Sequence, residues 1–409
     1  MDLTPALQQS SGPRKGENVM KDQPKGLNKY QMMGRRYFLQ VTGGGAVVAT
    51  ALGGSSLFTS PAFAAEPITW ISPRGTLEVL DDYGYWVGKE LGYFGDLETV
   101  MEPGPSDGTA TVKFVALGQA DMGFPSPGVF SFAIENDMDL VSVFNMGAVD
   151  VFDFAFRPGE GVKDLKLLEG KTVLLGSAAW QAITDPMFAA AGADLSKITY
   201  LEAGWPQWGT SLASGQGDAA LAWEGLRADW QGKGLDFEYW LGVDYSNFPA
   251  NSFVVRRSDI QDPERHAALE QYLRGWAMGM EFTHINPRAA VDSVFKQFPI
   301  VKSNLGTDLG TESLMQLARV FRGNMEDREG WGWHEMARWE LFFKTLFEIG
   351  QTKTSVDVAN FVTNEFVGPA NDFDHAKVKA DAEGYQLSAD MAAVDVAAIE
   401  ARFYANAIR

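Results

Sequence analysis

The segment Leu117-Gly118-Gln119-Ala120-Asp121-Met122 returns, as the pattern Gly-Gln-x-Asp, in Ser214-Gly215-Gln216-Gly217-Asp218-Ala219. In each copy a helical stretch ends at the glycine, which suits the left-handed conformation that closes a helix. The aspartate then precedes a short apolar run that reads as a buried strand. Coincidence between two helix-to-strand turns is the plain alternative. Their matching places in two alternating strand–helix runs favour two similar lobes. Alternation of this kind builds mainly parallel sheets flanked by helices, an α/β architecture.

The first run reads as strand 67–71, turn Ser72-Pro73-Arg74-Gly75, a helix from about Leu77 to Leu91, strand 97–101, helix 109–117, strand 122–124, helix 129–135 and strand 140–144. The second reads as strand 172–175, turn Gly176-Ser177, helix 185–191, strand 198–201, helix 208–214 and strand 219–223. Beyond Phe253-Val254-Val255 the pattern becomes helical. Leu269, Tyr272, Leu273, Trp276 and Met280 make one apolar stripe, and Met336, Trp339, Phe343 and Leu346 another. Both read as core faces.

Two lobes need apolar mass, and 409 residues at 45% hydrophobic supply it without disulfides or structural metal. The chain has no cysteine. That excludes disulfides, thiolate catalysis, cysteine-held zinc, iron–sulfur clusters and an acylated lipoprotein anchor. Lys and Arg total 34 against 53 Asp and Glu, a net charge of −19 that disfavours nucleic acid and anionic membranes as partners. His266, His284, His334 and His375 lie far apart and read as surface or satisfied polar residues. Zinc-protease, serine-hydrolase, dinucleotide and P-loop spacings are all missing. No catalytic residue, metal or cofactor is expected. Asp81-Asp82 could be imagined as a carboxylate pair, but neighbours on a helix point about 100° apart. Solvated acids on a first helical turn are the simpler reading.

Residues 1–64 differ from the rest. A polar stretch ends in Gly34-Arg35-Arg36-Tyr37-Phe38-Leu39, a weakly apolar run spans 41–58, and Pro61-Ala62-Phe63-Ala64 offers an A-x-A cleavage pattern. A membrane-spanning helix would want a more apolar run than five glycines allow. The ordered trio resembles a twin-arginine export signal, removed after Ala64. Residues 65–409 would then carry 27 basic against 50 acidic side chains, −23, on the periplasmic side of a bacterial inner membrane.

Several segments resemble one family. Lys89-Glu90-Leu91-Gly92-Tyr93-Phe94, residues 116–123, Gly170-Lys171-Thr172-Val173, residues 212–220, Asn286-Pro287-Arg288-Ala289-Ala290 and Asn371-Asp372-Phe373-Asp374 follow, in order, motifs of the periplasmic solute-binding proteins of ABC importers. The resembling group is the one that includes nitrate, taurine, alkanesulfonate and thiamine-pyrimidine binders. The resemblance implies a two-lobed periplasmic-binding-protein fold with crossings near 145–156 and 247–255. Lobe 1 would hold 65–150 and 251–409, and lobe 2 would hold 151–250. It also implies a monomer that delivers a small-molecule solute to an inner-membrane ABC permease with its cytoplasmic ATPase. An enzyme resembling thiamine-pyrimidine synthases, or a receptor-linked sensor, stays open beside it.

Ligands of open α/β sheets bind beyond the C-terminal strand ends. That rule selects Ser72, Arg74, Phe124, Ser126, Asn145, Ser177, Trp180, Trp205, Trp223 and Glu224. Arg74 is the expected anchor for an anionic solute such as a sulfonate or carboxylate. Ser126 and Ser177 could donate hydroxyls or simply cap helices. The tryptophans suit an apolar wall or a core, and a neutral aromatic or pyrimidine-type solute is the alternative to an anion.

Overall fold

The computed structural model describes residues 66–105 and 108–409, so the export-signal reading lies outside the described residues. Strands β1 (Ile68–Ile71), β2 (Thr99–Glu102), β3 (Met122–Gly123) and β4 (Leu140–Asn145) enter a first sheet. Strands β5 (Phe152–Phe156), β6 (Thr172–Leu175), β7 (Thr199–Glu202), β8 (Ala219–Trp223) and β9 (Glu238–Trp240) form a second, and β10 (Ser252–Arg256) returns to the first. The strand orders are β2-β1-β3-β10-β4 and β7-β6-β8-β5-β9. In each sheet only the strand that has just crossed from the other is antiparallel, β10 beside β3 and β4, and β5 beside β8 and β9. The other pairs are parallel.

The two Gly-Gln-x-Asp turns occupy equivalent places in these sheets. Gly118 and Gly215 have φ of 67° and 80°, where a side chain would be strained. Asp121 accepts the Thr69 N–H at 2.8 Å, and Asp218 accepts the Thr172 N–H at 2.8 Å. Each aspartate therefore satisfies the edge of the neighbouring strand, β1 or β6. An arginine at the end of each antiparallel strand completes the match. Arg256 donates to the Val115 and Ala120 carbonyls at 2.9 and 2.7 Å, and Arg157 to those of Leu212 and Gly217 at 3.0 and 2.6 Å. These guanidiniums bind the carbonyls left free where a helix stops.

Three elements differ from the sequence reading. β5 and β9 were not foreseen as strands, since β5 lies inside the expected crossing and β9 has only three residues. The helix expected from Leu77 begins at Tyr83 and runs to Glu90, because residues 77–82 fold back toward Arg74. The last residues leave the helical layer for the second sheet. Tyr239 donates to the Asn406 carbonyl at 2.9 Å and receives the Ile408 N–H at 2.8 Å, so the tail lines the β9 edge.

The C-terminal helices cover the first sheet. Helix Pro263–Ile285 buries Leu269, Tyr272, Leu273, Trp276 and Met280, with Trp276 packed between Trp70 and Phe253. Tyr93 and Phe94 of the Gly-Tyr-Phe motif meet this layer, Tyr93 through Asp381 at 2.9 Å and Phe94 by stacking on Tyr272. His334 is a satisfied core residue. It bonds Ser142 at 2.7 Å and Asn364 at 2.9 Å, and burial pushes its pKa down to about 3.

Candidate functional site

A cavity of ≈ 80 Å³ lies between the two sheets. The turn after β1 contributes Arg74, and the turn after β3 contributes Phe124, Pro125 and Ser126. Trp180 and Ile183 follow β6, and Leu221 and Trp223 come from β8. The crossings add Val151, Phe152 and Asn251, and helix Pro299–Arg322 adds Leu317 and Phe321. Both lobes and both crossings therefore wall one apolar space, as strand-end geometry requires.

The structure brings five of the ten expected residues to this cavity: Arg74, Phe124, Ser126, Trp180 and Trp223. Trp205 lines a neighbouring cavity of ≈ 310 Å³, which shares Arg74, Asp81 and Trp223 as a partition. Ser72 is buried behind the turn, where its hydroxyl accepts the Arg74 N–H at 3.1 Å. Asn145 donates to the Gly147 carbonyl at 2.8 Å, fixing the start of the first crossing. Ser177 is buried just before the short helical turn 178–180. Glu224 faces away from the cavity. It pairs with the buried Arg227 at 2.8 Å, and Arg227 holds the tail through the Phe403 carbonyl and Asn406 at 3.0 and 2.9 Å.

Arg74 has a different role from the one its position suggested. Its Nη2 donates to both Asp82 oxygens at 2.5 Å, and its Nη1 lies 3.5 Å from Asp81. Asp82 is buried, so the solvated-acid reading of this pair is corrected: the fold-back at 77–82 carries both carboxylates onto the guanidinium. Burial pushes the Asp81 carboxyl up to about 6. Arg74 and a bond to the Trp223 side chain oppose that rise, while Asp82 and Asp229 add to it.

The tryptophans form one cluster. Trp205 stacks on Trp208 with centroids 4.8 Å apart and on Trp223 at 5.6 Å, while Trp180 meets Trp223 edge-on at 5.9 Å. Trp208 is the anchor, buried with its indole N–H on the Leu221 carbonyl at 2.8 Å. Both readings of the tryptophans hold together: Trp208 and Trp230 are core, and Trp180 and Trp223 are wall. Sequence reasoning did not single out Phe152 or Phe321, because nothing local marks an apolar residue as cavity lining, nor Asn251, whose place on the second crossing carries no strand-end signal.

Two mixed five-stranded sheets, each with its crossing strand antiparallel to the rest, joined by two crossings and enclosing a cavity at their strand ends, define a periplasmic-binding-protein fold. The alkanesulfonate-binding protein SsuA of Xanthomonas axonopodis pv. citri, bound to MOPS, superposes with a TM-score of 0.57 at 12% identity over 73% of this chain and 98% of that one. The periplasmic nitrate-binding protein NrtA of Synechocystis PCC 6803 gives 0.54 at 12% identity over 79% and 100%. The aliphatic sulphonate binding protein SsuA of Escherichia coli gives 0.55 at 12% over 73% and 92%. At such identities the likeness shows the fold. No curated protein matches the sequence. The NMT1/THI5-like family model matches residues 81–290, and the chain belongs to that family.

Proposed function

We propose that this protein is the extracytoplasmic solute-binding component of an ABC importer, closing on a small organic solute and passing it to a membrane permease. The observation that carries this reading is the cavity walled by both lobes and both crossings, the arrangement in which ligand contact with two bodies favours a closed state. In this reading the lobes comprise 65–150 with 251–409, and 151–250. Residues 1–64 act as a twin-arginine export signal.

The solute is apolar or aromatic in its bulk. Phe124, Phe152, Phe321, Trp180 and Trp223 dominate the walls, and the Arg74 guanidinium there is neutralised by its own carboxylates. An anion held by Arg74 would have to displace Asp82 from a buried bidentate pair. The test is uptake in the native host. Deleting the gene should abolish uptake of the solute that stabilises the purified protein. Complementation with Arg35→Lys/Arg36→Lys should leave protein in the cytoplasm and uptake unrestored. Undiminished uptake in the deletion strain refutes the transport role, and full rescue by the variant refutes the export route.

A further inference from the structure

We propose that the cleft selects a compact organic cation bearing one neutral hydrogen-bonding group, an amino alcohol or its quaternary ammonium form, with Asp81 facing the positive charge. This rests on the solute-binding reading above and names the substrate class for that site.

The first argument is charge. Arg74 stands against two carboxylates, Asp82 at 2.5 Å and Asp81 at 3.5 Å, so the polar end of the cavity carries one uncompensated negative charge. Among the described residues that line this cavity there is no second cation. A positive ligand restores neutrality in a site from which water is largely excluded, where such an interaction is strong.

The second argument is the wall. The side chains of Phe124, Phe152, Trp180 and Trp223 line the same space as Asp81. Aromatic rings around a carboxylate are the surroundings that recognise ammonium groups, because the ring faces are electron-rich. They offer nothing comparable to an oxyanion.

The third argument comes from two buried polar atoms with no partner. The Nε–H of Arg74, a residue only 9% exposed, has no acceptor, and Oδ1 of Asn251 has no donor. Both residues line the cavity. A ligand hydroxyl has the chemistry to partner either of them, accepting from the Nε–H or donating to Oδ1. The net charge of −19 adds a long-range field that concentrates cations around the protein and repels anions.

The probes are choline, its neutral isostere 3,3-dimethylbutan-1-ol, and ethanesulfonate, titrated calorimetrically into the purified protein. Choline should bind about tenfold or more tighter than the isostere, and ethanesulfonate should not bind. Choline affinity should also rise from pH 5 to pH 7.5. The Asp81 carboxyl, pushed up to about 6 among Arg74, Asp82, Asp229 and Trp223, takes its charge across that interval. Asp81→Asn should remove the preference for choline over the isostere. Because that variant could disturb Arg74, the comparison of choline with its isostere on the unmodified protein stands as the primary test. Equal binding of the two, no choline binding, or tighter ethanesulfonate binding each overturns the cation assignment. None of these touches the importer reading, which fails only if the deletion strain keeps its uptake.

Discussion

Asp150 sits where the two crossings meet, and its protonation should shape how stability varies with pH. It is fully buried, accepts the Phe152 N–H at 2.9 Å, and accepts the hydroxyl of Ser246 from the second crossing. Ser246 in turn accepts the Phe248 N–H at 3.2 Å, so one carboxyl and one hydroxyl tie the hinge together. Burial pushes the Asp150 carboxyl up to about 7, with Ser246, the backbone N–H groups and Arg338 opposing it. An unfolded aspartate titrates near 3.9. The folded protein thus keeps a proton that the unfolded chain releases, and stability falls as pH rises through about 7. Integrating that proton difference from pH 5 to pH 8 gives a loss of about 2.5 kcal/mol. His334 works in the opposite sense, since its pKa is pushed down to about 3 and the unfolded imidazole gains a proton below about 6.5. The informative quantity is therefore a difference between proteins. Asp150→Asn keeps the shape, accepting the Phe152 N–H through Oδ1 and donating its Nδ2–H to the Ser246 hydroxyl, but cannot titrate. Urea unfolding at both pH values should show wild type losing about 2.5 kcal/mol more than the variant on going to pH 8. Equal changes in the two proteins would refute the assignment of a buried, protonated carboxyl to the hinge.

Two further outcomes follow from contacts at the cleft. Asp82→Leu should destabilise by about 1.5–3 kcal/mol because it removes the hydrogen-bonded partner of a buried guanidinium and leaves only Asp81 at 3.5 Å to balance it, and adding Arg74→Met should not restore the loss in full, since Asp81 would then be left without a counter-ion. Additive single-site losses in a denaturation double-mutant cycle would contradict a direct pair. Gly128 is on the helix that follows β3, where an added Cβ would come within 2.2 Å of the carbonyl oxygen of Ala182, on the helix that follows β6 of the second sheet. Gly128→Ala should therefore hold the lobes apart and raise the radius of gyration in solution scattering, and an unchanged profile would show that the contact yields.

What was legible in the sequence was local. The Gly-Gln-x-Asp turns could be read because a positive φ at glycine and an aspartate bracketing the next strand need only neighbouring residues. Their arginine partners could not, since Arg256 reaches back 136 residues and Arg157 forward 60. The same distance hid the job of Glu224, whose strand-end position suggested a ligand but whose partner Arg227 binds the tail at Asn406.

Arg74 shows where position and chemistry part. Strand-end logic placed it at the cleft, which is where it lies, and its charge alone suggested an anion. The sign of a site, however, is a sum over every charge within a few ångströms, because in a low-dielectric cavity near neighbours dominate the potential. Asp82 is only eight residues away, yet a continuous helix from Leu77 would have pointed it elsewhere. Once residues 77–82 fold back, the same arginine changes from a ligand anchor into the counter-ion of two acids. The electrostatic character of the cleft then passes to Asp81, the carboxylate that the pair with Asp82 leaves only partly compensated.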